Sequence, residues 1–205
     1  MTEYFYPERM GRIILMAMEE VIGRDGLRTI LDLVSLPAYT EEYPAANSEK
    51  NFTFKTITRL QESMEQVYGP QAGRGTALRV GRACFQYGLR DYASLPGITG
   101  SAFRLLPLST KIHTGARSFA ELFNMETDQR VRLEEKDGKL YWIIERCPLC
   151  WERQADAPVC HLAVGLLQEA LYWLTGGKIF HVEEIACLAR SDPACTILID
   201  QTPFS

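Results

Sequence analysis

The chain has 205 residues, 46% of them hydrophobic, which is enough to bury a core in one domain without stabilising crosslinks. Its 22 basic and 26 acidic residues are interspersed, giving a formal charge of -4 and no basic stripe able to neutralise a phosphate backbone, so direct nucleic-acid binding is not expected. The apolar run from Ile13 to Met18 is too short to span a bilayer and is closely flanked by Glu8, Arg9, Arg12, Glu19 and Glu20; with no signal-peptide pattern either, the expected location is cytoplasmic.

The N-terminal half reads as helices. Pro7 to Gly23 carries Met10, Ile14, Ala17 and Val21 on one stripe, and Gly26 to Leu36 forms a second short helix. A loop follows around Pro37, Tyr43, Pro44 and Asn47. Ile57, Leu60, Met64 and Val67 define a third helix stopped by Gly69 and Pro70. The fourth spans Arg74 to Tyr92, where Gly81 would permit a close helix contact, and the fifth spans Ser109 to Asp128. At Arg130 the period changes. RVRLEEK and KLYWIIERC alternate around Asp137-Gly138, a β-hairpin signal. The segment VCHLAVGLLQEALYWLTGG is helical, with Cys160, Val164, Leu167, Leu171 and Leu174 on one stripe and two glycines at its end. Lys178 to Ala189 and Ala194 to Asp200 complete two more strands. The expectation is a single α+β domain over residues 1–205: a helical layer, 1–128, covers a four-stranded antiparallel sheet built in β-β-α-β-β order within 129–205.

Six cysteines need a reason where thiols stay reduced. Cys84 sits in a helical stripe and reads as a small core residue. Cys147, Cys150, Cys160, Cys187 and Cys195 crowd into the last third, as metal ligands do. A structural zinc site fills four positions with protein thiolates, imidazoles or carboxylates. Glu184, Cys187 and Cys195 surround one hairpin, and Cys160 at a helix start can reach it, with the helix dipole favouring its thiolate. One feature is awkward: Glu184 and Cys187 are an odd number apart, so a regular strand would point them to opposite faces and a bulge or strand end must intervene. Cys147 and Cys150 in CPLC offer a rival set with Cys187 and Cys195, a redox dithiol, or a pair of idle loop thiols.

The stretch from Val159 to Asp200, with VCHLAVGLLQEAL followed by VEEIACLARSDPACTILI, resembles the 4-vinyl reductase (4VR) domain family, which includes sensor domains of aromatic-responsive activators. The resemblance implies a structural Zn2+ on Cys160, Glu184, Cys187 and Cys195. It departs in the final turn, where the family usually has Gly-Asp and this chain has Ser191-Asp192. The fold also resembles the TRAPP tethering subunits, which implies helices against an antiparallel sheet, an apolar tunnel and a homodimer; the apolar surplus of Met10, Met16 and Met18 points the same way.

A four-ligand site leaves no place for an activated water. No dinucleotide or phosphate loop is present, and His113, His161 and His181 have no nucleophile partner in sequence, so an enzyme is not the expectation. Binding of a small hydrophobic or aromatic ligand, as sensor or carrier, is better supported. Phe85, Phe119, Phe123, Tyr141 and Trp142 lie on segments able to line a pocket. The resemblance to the aromatic sensors adds His113 and Trp142 as the groups that grip a ligand's polar atom. The alternatives are a tetrapyrrole-handling, 4-vinyl reductase-like protein of bacteriochlorophyll synthesis and a dimeric interaction module.

Overall fold

The computed structural model describes residues 2–92, 98 and 101–204. Strand β1 (Phe5–Pro7) leads into α1 (Glu8–Leu33), a 3-10 turn spans Pro37–Thr40, and β2 (Lys50–Thr53) leads into α2 (Phe54–Tyr68) and α3 (Pro70–Asp91). After the short α4 (Ser101–Arg104) and α5 (Leu108–Glu126) come β3 (Arg130–Lys136), β4 (Lys139–Arg146), α6 (His161–Thr175), β5 (Phe180–Ala186) and β6 (Cys195–Pro203). Strands β3 to β6 form one antiparallel sheet in the order β3-β4-β6-β5, and α1 to α5 all precede it in the chain. This is the expected α+β arrangement.

Local chemistry explains the joints. Gly23 has φ 73 and ψ 167, a break inside α1 that separates the two expected helices. Thr53 caps α2 by accepting the Thr56 N–H at 3.0 Å. Asp137 and Gly138 both take positive φ, 52 and 71, as a two-residue hairpin turn between β3 and β4 requires. The helix in the middle of the C-terminal portion, α6, lies against α3, where Gly81 and Gly165 face each other's backbone. A Cβ at Gly81 would come within 2.0 Å of the Leu162 carbonyl oxygen, and one at Gly165 within 2.0 Å of the Leu78 carbonyl oxygen. Only hydrogen fits at either position.

The differences from the sequence reading are local. That reading leaves Lys50–Thr53 between a loop and a helix; it is a strand, pairing with β1 through Phe5 opposite Thr53 and Tyr6 opposite Phe52. Strands of three and four residues carry too little alternation to be recognised. Residues 187–189 leave β5 for a 3-10 turn, and β6 runs on to Pro203. Met10 and Met18 are buried within the chain and Met16 is half-buried, so the apolar surplus that suggested a dimer is used inside one molecule. None of the described helices is long and apolar enough to cross a membrane.

Candidate metal centre and ligand cavity

Five cysteines and Glu184 converge from three directions. Cys147 and Cys150 lie in the turn that leaves β4, Cys160 is the residue before α6, Cys187 follows β5, and Cys195 opens β6. Cys147, Cys160, Cys187 and Cys195 are fully buried, with Cys150 at 3% and Glu184 at 7% exposure. All are free thiols. The Sγ atoms stand 3.6 Å apart for Cys147 and Cys160, 3.3 Å for Cys150 and Cys195, and 3.7 Å for Cys160 and Cys195. Cys187 lies 3.8 Å from Cys160 and 3.8 Å from Cys195. With a zinc–sulfur bond of about 2.3 Å, a regular tetrahedron has sulfur–sulfur edges of about 3.8 Å, so the thiols are spaced as a metal would hold them.

Glu184 reaches this cluster through the bulge its spacing demanded. Along β5 it shares the buried face with Phe180 and Val182, and the β5–β6 register shifts between Glu184 and Ala186, which turns Cys187 to the same side. Its Oε2 accepts the Cys160 N–H at 2.6 Å, whereas its Oε1 is buried with no partner. Burial, with Cys187 beside it, pushes the carboxyl up to about 9. A buried acceptor left unmatched among thiols is what a cation would satisfy. Two four-donor sets meet the distance requirement: Cys160, Glu184, Cys187 and Cys195, and Cys147, Cys150, Cys160 and Cys195, each with its ligand atoms within 4.8 Å of one another. Both the expected ligands and the CPLC thiols are therefore brought together, and the rival combination of Cys147 with Cys187 is not among these sets.

The surroundings fix the cluster. Thr58 Oγ1 donates to the Pro148 carbonyl at 2.6 Å and accepts the Trp151 N–H at 2.8 Å. Gln61 Nε2 donates to the carbonyls of Leu149 at 3.2 Å and Val159 at 2.5 Å, while its Oε1 accepts the Leu162 N–H at 3.2 Å. The Asp192 carboxylate accepts the Cys187 N–H at 2.8 Å, and the Leu188 N–H donates to Cys195 Sγ at 3.3 Å. Ser191 takes φ 66, the left-handed conformation that glycine would supply without strain. Thr58 and Gln61 were not singled out in the sequence. Their signal was two polar residues beside the apolar stripe of Ile57, Leu60 and Met64.

A cavity of about 120 Å³ adjoins the cluster. Trp142, Phe85, Phe119 and Phe123 are on its wall, with Phe123 edge-on to Trp142 at 6.2 Å and Phe85 edge-on to Phe119 at 5.6 Å. Pro148 and Leu149 of the cysteine loop, and Leu162 and Ala163 of the first turn of α6, close the side facing the thiols. Polar groups on the wall are few: Tyr6 donates its hydroxyl to Gln129 Oε1, and Tyr92 keeps a buried hydroxyl without a partner. Cys84 also faces in, and burial pushes its thiol up to about 12, so it is neutral wall.

Two candidates lie elsewhere. Tyr141 alternates with Trp142 along β4 and so points to the opposite face of the sheet. His113 sits in a shallow surface groove, its Nε2 3.2 Å from Glu135 Oε1. The helical stripe places its neighbour Ile112 inward, and His113 one residue on faces out.

No characterised protein sequence matches the chain. Among solved structures, the phenol-responsive sensory domain of the transcription activator PoxR, with phenol, aligns at a TM-score of 0.52 and 19% identity, covering 74% of this chain and 76% of that one. An oxygen-binding H-NOX domain related to soluble guanylate cyclases aligns at 0.56 and 13% identity over 94% of both chains. An H-NOX protein from S. oneidensis in the Fe(II)NO state aligns at 0.58 and 9% identity, over 95% of this chain and 99% of that one. These likenesses are of fold. Residues 140–201, the segment that supplies all six donors of the cluster, match the V-4-R (4-vinyl reductase, 4VR) domain family, in line with the resemblance carried by the Cys160 and Glu184-x-x-Cys187 pattern.

Proposed function

We propose that the chain is a metal-stabilised binding domain for a small, mostly apolar ligand, acting as a sensor or carrier. The observation that carries this reading is the aromatic cavity of about 120 Å³ beside the thiol cluster. An apolar cavity of about 150 Å³ is enough to hold benzene, so the space suits a ligand of about one ring. The unpartnered Tyr92 hydroxyl offers that ligand one hydrogen bond. The fold shared with a phenol-responsive sensory domain supports the same class of ligand. Cys160, Glu184, Cys187 and Cys195 would hold a structural zinc ion, whose four filled positions leave no bound water to activate. The plait of helices on a sheet keeps the TRAPP-like reading of the fold within this proposal.

A tetrapyrrole is less well supported. Heme is the group studied in the H-NOX relatives, but the cavity here has the volume of a single ring and no histidine on its wall. The chain's three histidines contact Glu135, lie beside Arg74 and Glu65, or contact Glu183, and Cys84 is held neutral by burial. These residues do not fit an axial ligand set. A dimeric interaction module has lost its motivating residues to the interior.

Titration with phenol and toluene, followed by calorimetry and tryptophan fluorescence, tests the proposal. Both probes are expected to bind one per chain. Ala163→Phe, which projects a ring into the cavity, should abolish binding while metal content and circular dichroism stay unchanged. Absence of saturable binding by either probe, or unaltered binding in Ala163→Phe, would overturn it.

A further inference from the structure

The two four-donor sets have Cys160 and Cys195 in common. A structural zinc ion takes four protein donors, so a single ion leaves two buried donors unused: Cys147 and Cys150 on one choice, Glu184 and Cys187 on the other. The distances favour neither set at the expense of the other. The edge between Cys160 and Cys195 is 3.7 Å and belongs to both tetrahedra. On one side, Cys147 stands 3.6 Å from Cys160 and Cys150 stands 3.3 Å from Cys195. On the other, Cys187 stands 3.8 Å from each of the same two sulfurs.

We propose that the cluster is a binuclear centre for two zinc-class divalent ions, in which the Cys160 and Cys195 thiolates bridge. Cys147 and Cys150 complete a four-sulfur site, and Cys187 with Glu184 Oε1 completes a three-sulfur, one-oxygen site. The inference rests on the metal-binding part of the proposed function and extends it by a second ion. Its charge balance is neutral relative to one ion. With a single ion on Cys160, Glu184, Cys187 and Cys195, Cys147 and Cys150 keep their protons; the second ion displaces those two protons to solvent, and the net charge of the cluster stays at two negative. The bridges form from second lone pairs on the Cys160 and Cys195 sulfurs, and no electron is transferred.

Two further observations support the arrangement. The orphaned Oε1 of Glu184 marks a donor with nothing to bind but a cation. The Leu188 N–H already donates to the bridging Cys195 sulfur, which tempers its charge. Iron–sulfur clusters use inorganic sulfide to bridge their ions and need thiolates set further apart; here the protein's own sulfurs occupy the bridging edge. The soft donor set selects zinc over calcium or magnesium.

Native mass spectrometry and elemental analysis of the full chain, purified without chelator and supplied with zinc, read the count directly. Two ions per chain are expected, falling to one in Cys147→Ser/Cys150→Ser and to one in Glu184→Gln/Cys187→Ser. Because either variant could fail to fold, the wild-type protein loaded with cadmium-113 gives an independent reading. Two resonances are expected, one typical of four sulfurs and one displaced by an oxygen ligand, coupled to each other through the bridging thiolates. One ion in wild type that persists in Cys147→Ser/Cys150→Ser would overturn the second ion and leave the single four-ligand site standing. One ion lost in that variant would overturn the bridge by placing the metal on four sulfurs alone. No ion at all would remove both readings.

Discussion

Glu184 concentrates the tension of the metal-free cluster. It was legible as a ligand from its place in Glu-x-x-Cys, and its odd spacing from Cys187 already demanded the bulge found between Glu184 and Ala186. What the sequence could not give is its surroundings, because burial depends on α6 packing over β5. Without metal its carboxyl is pushed up to about 9 by burial. A folded value raised above the unfolded one of about 4.3 means that the folded state binds more protons. The stability this group contributes is whole below about pH 4.3 and is lost as pH rises toward about 9. Chelated wild-type protein should therefore lose up to about 1.4 kcal/mol per pH unit between pH 5.5 and 7.5 relative to Glu184→Gln, measured by urea unfolding of both proteins. Parallel pH profiles for the two would show that Glu184 ionises freely. His113 shows the opposite lesson: its aromatic neighbours in sequence suggested a pocket, but one step of helical phase puts it in a surface groove against Glu135. Only the registration of α5 on the sheet decides that, and residue type does not encode it.

At the scale of elements, the important contact is between α2 and the loop from Cys147 to Trp151. Gln61 spends all three of its hydrogen bonds on the backbone of Leu149, Val159 and Leu162, joining the CPLC turn to the start of α6. Thr58 fastens Pro148 and Trp151 to the same helix. Replacing Gln61 by Leu strands two carbonyls and an amide in the interior. The cost of leaving buried groups unpaired is about 1–3 kcal/mol each, offset partly by relaxation. Gln61→Leu is expected to lower the urea midpoint and to hasten zinc extraction by a chelator several-fold, although it touches no sulfur. An extraction rate equal to wild type would show that the loop holds its shape alone. The helices themselves were legible from their stripes, and Gly69-Pro70 and Asp137-Gly138 marked real joints. The clamp was not, since Thr58 and Gln61 differ from solvated helix residues only through what lies across from them. The short pairing of β1 with β2 was missed for a related reason: its partners are far apart in the chain, as with Tyr6 and Phe52.

Across the whole molecule the cluster and the cavity share a wall. Pro148 and Leu149 lie between Cys147 and Cys150, and Leu162 and Ala163 follow Cys160 by two and three residues, yet all four line the cavity. Any ion that fixes those thiols fixes the backbone on which a ligand would rest, so the two binding events should be coupled. Coupling of this kind is reciprocal: if metal tightens the ligand by some factor, ligand tightens the metal by the same factor. Typical coupling free energies of about 1–3 kcal/mol correspond to about 5–150-fold. Saturating phenol should then raise by at least about fivefold the chelator activity needed to remove half the zinc, a measurement made on the intact, metal-loaded protein. Ala163→Phe supplies the control, because a ring lodged in the cavity leaves phenol nowhere to bind and should remove its effect on extraction. If phenol binds but leaves the chelator curve unmoved, the shared wall is rigid with or without metal, and the zinc centre serves the fold alone.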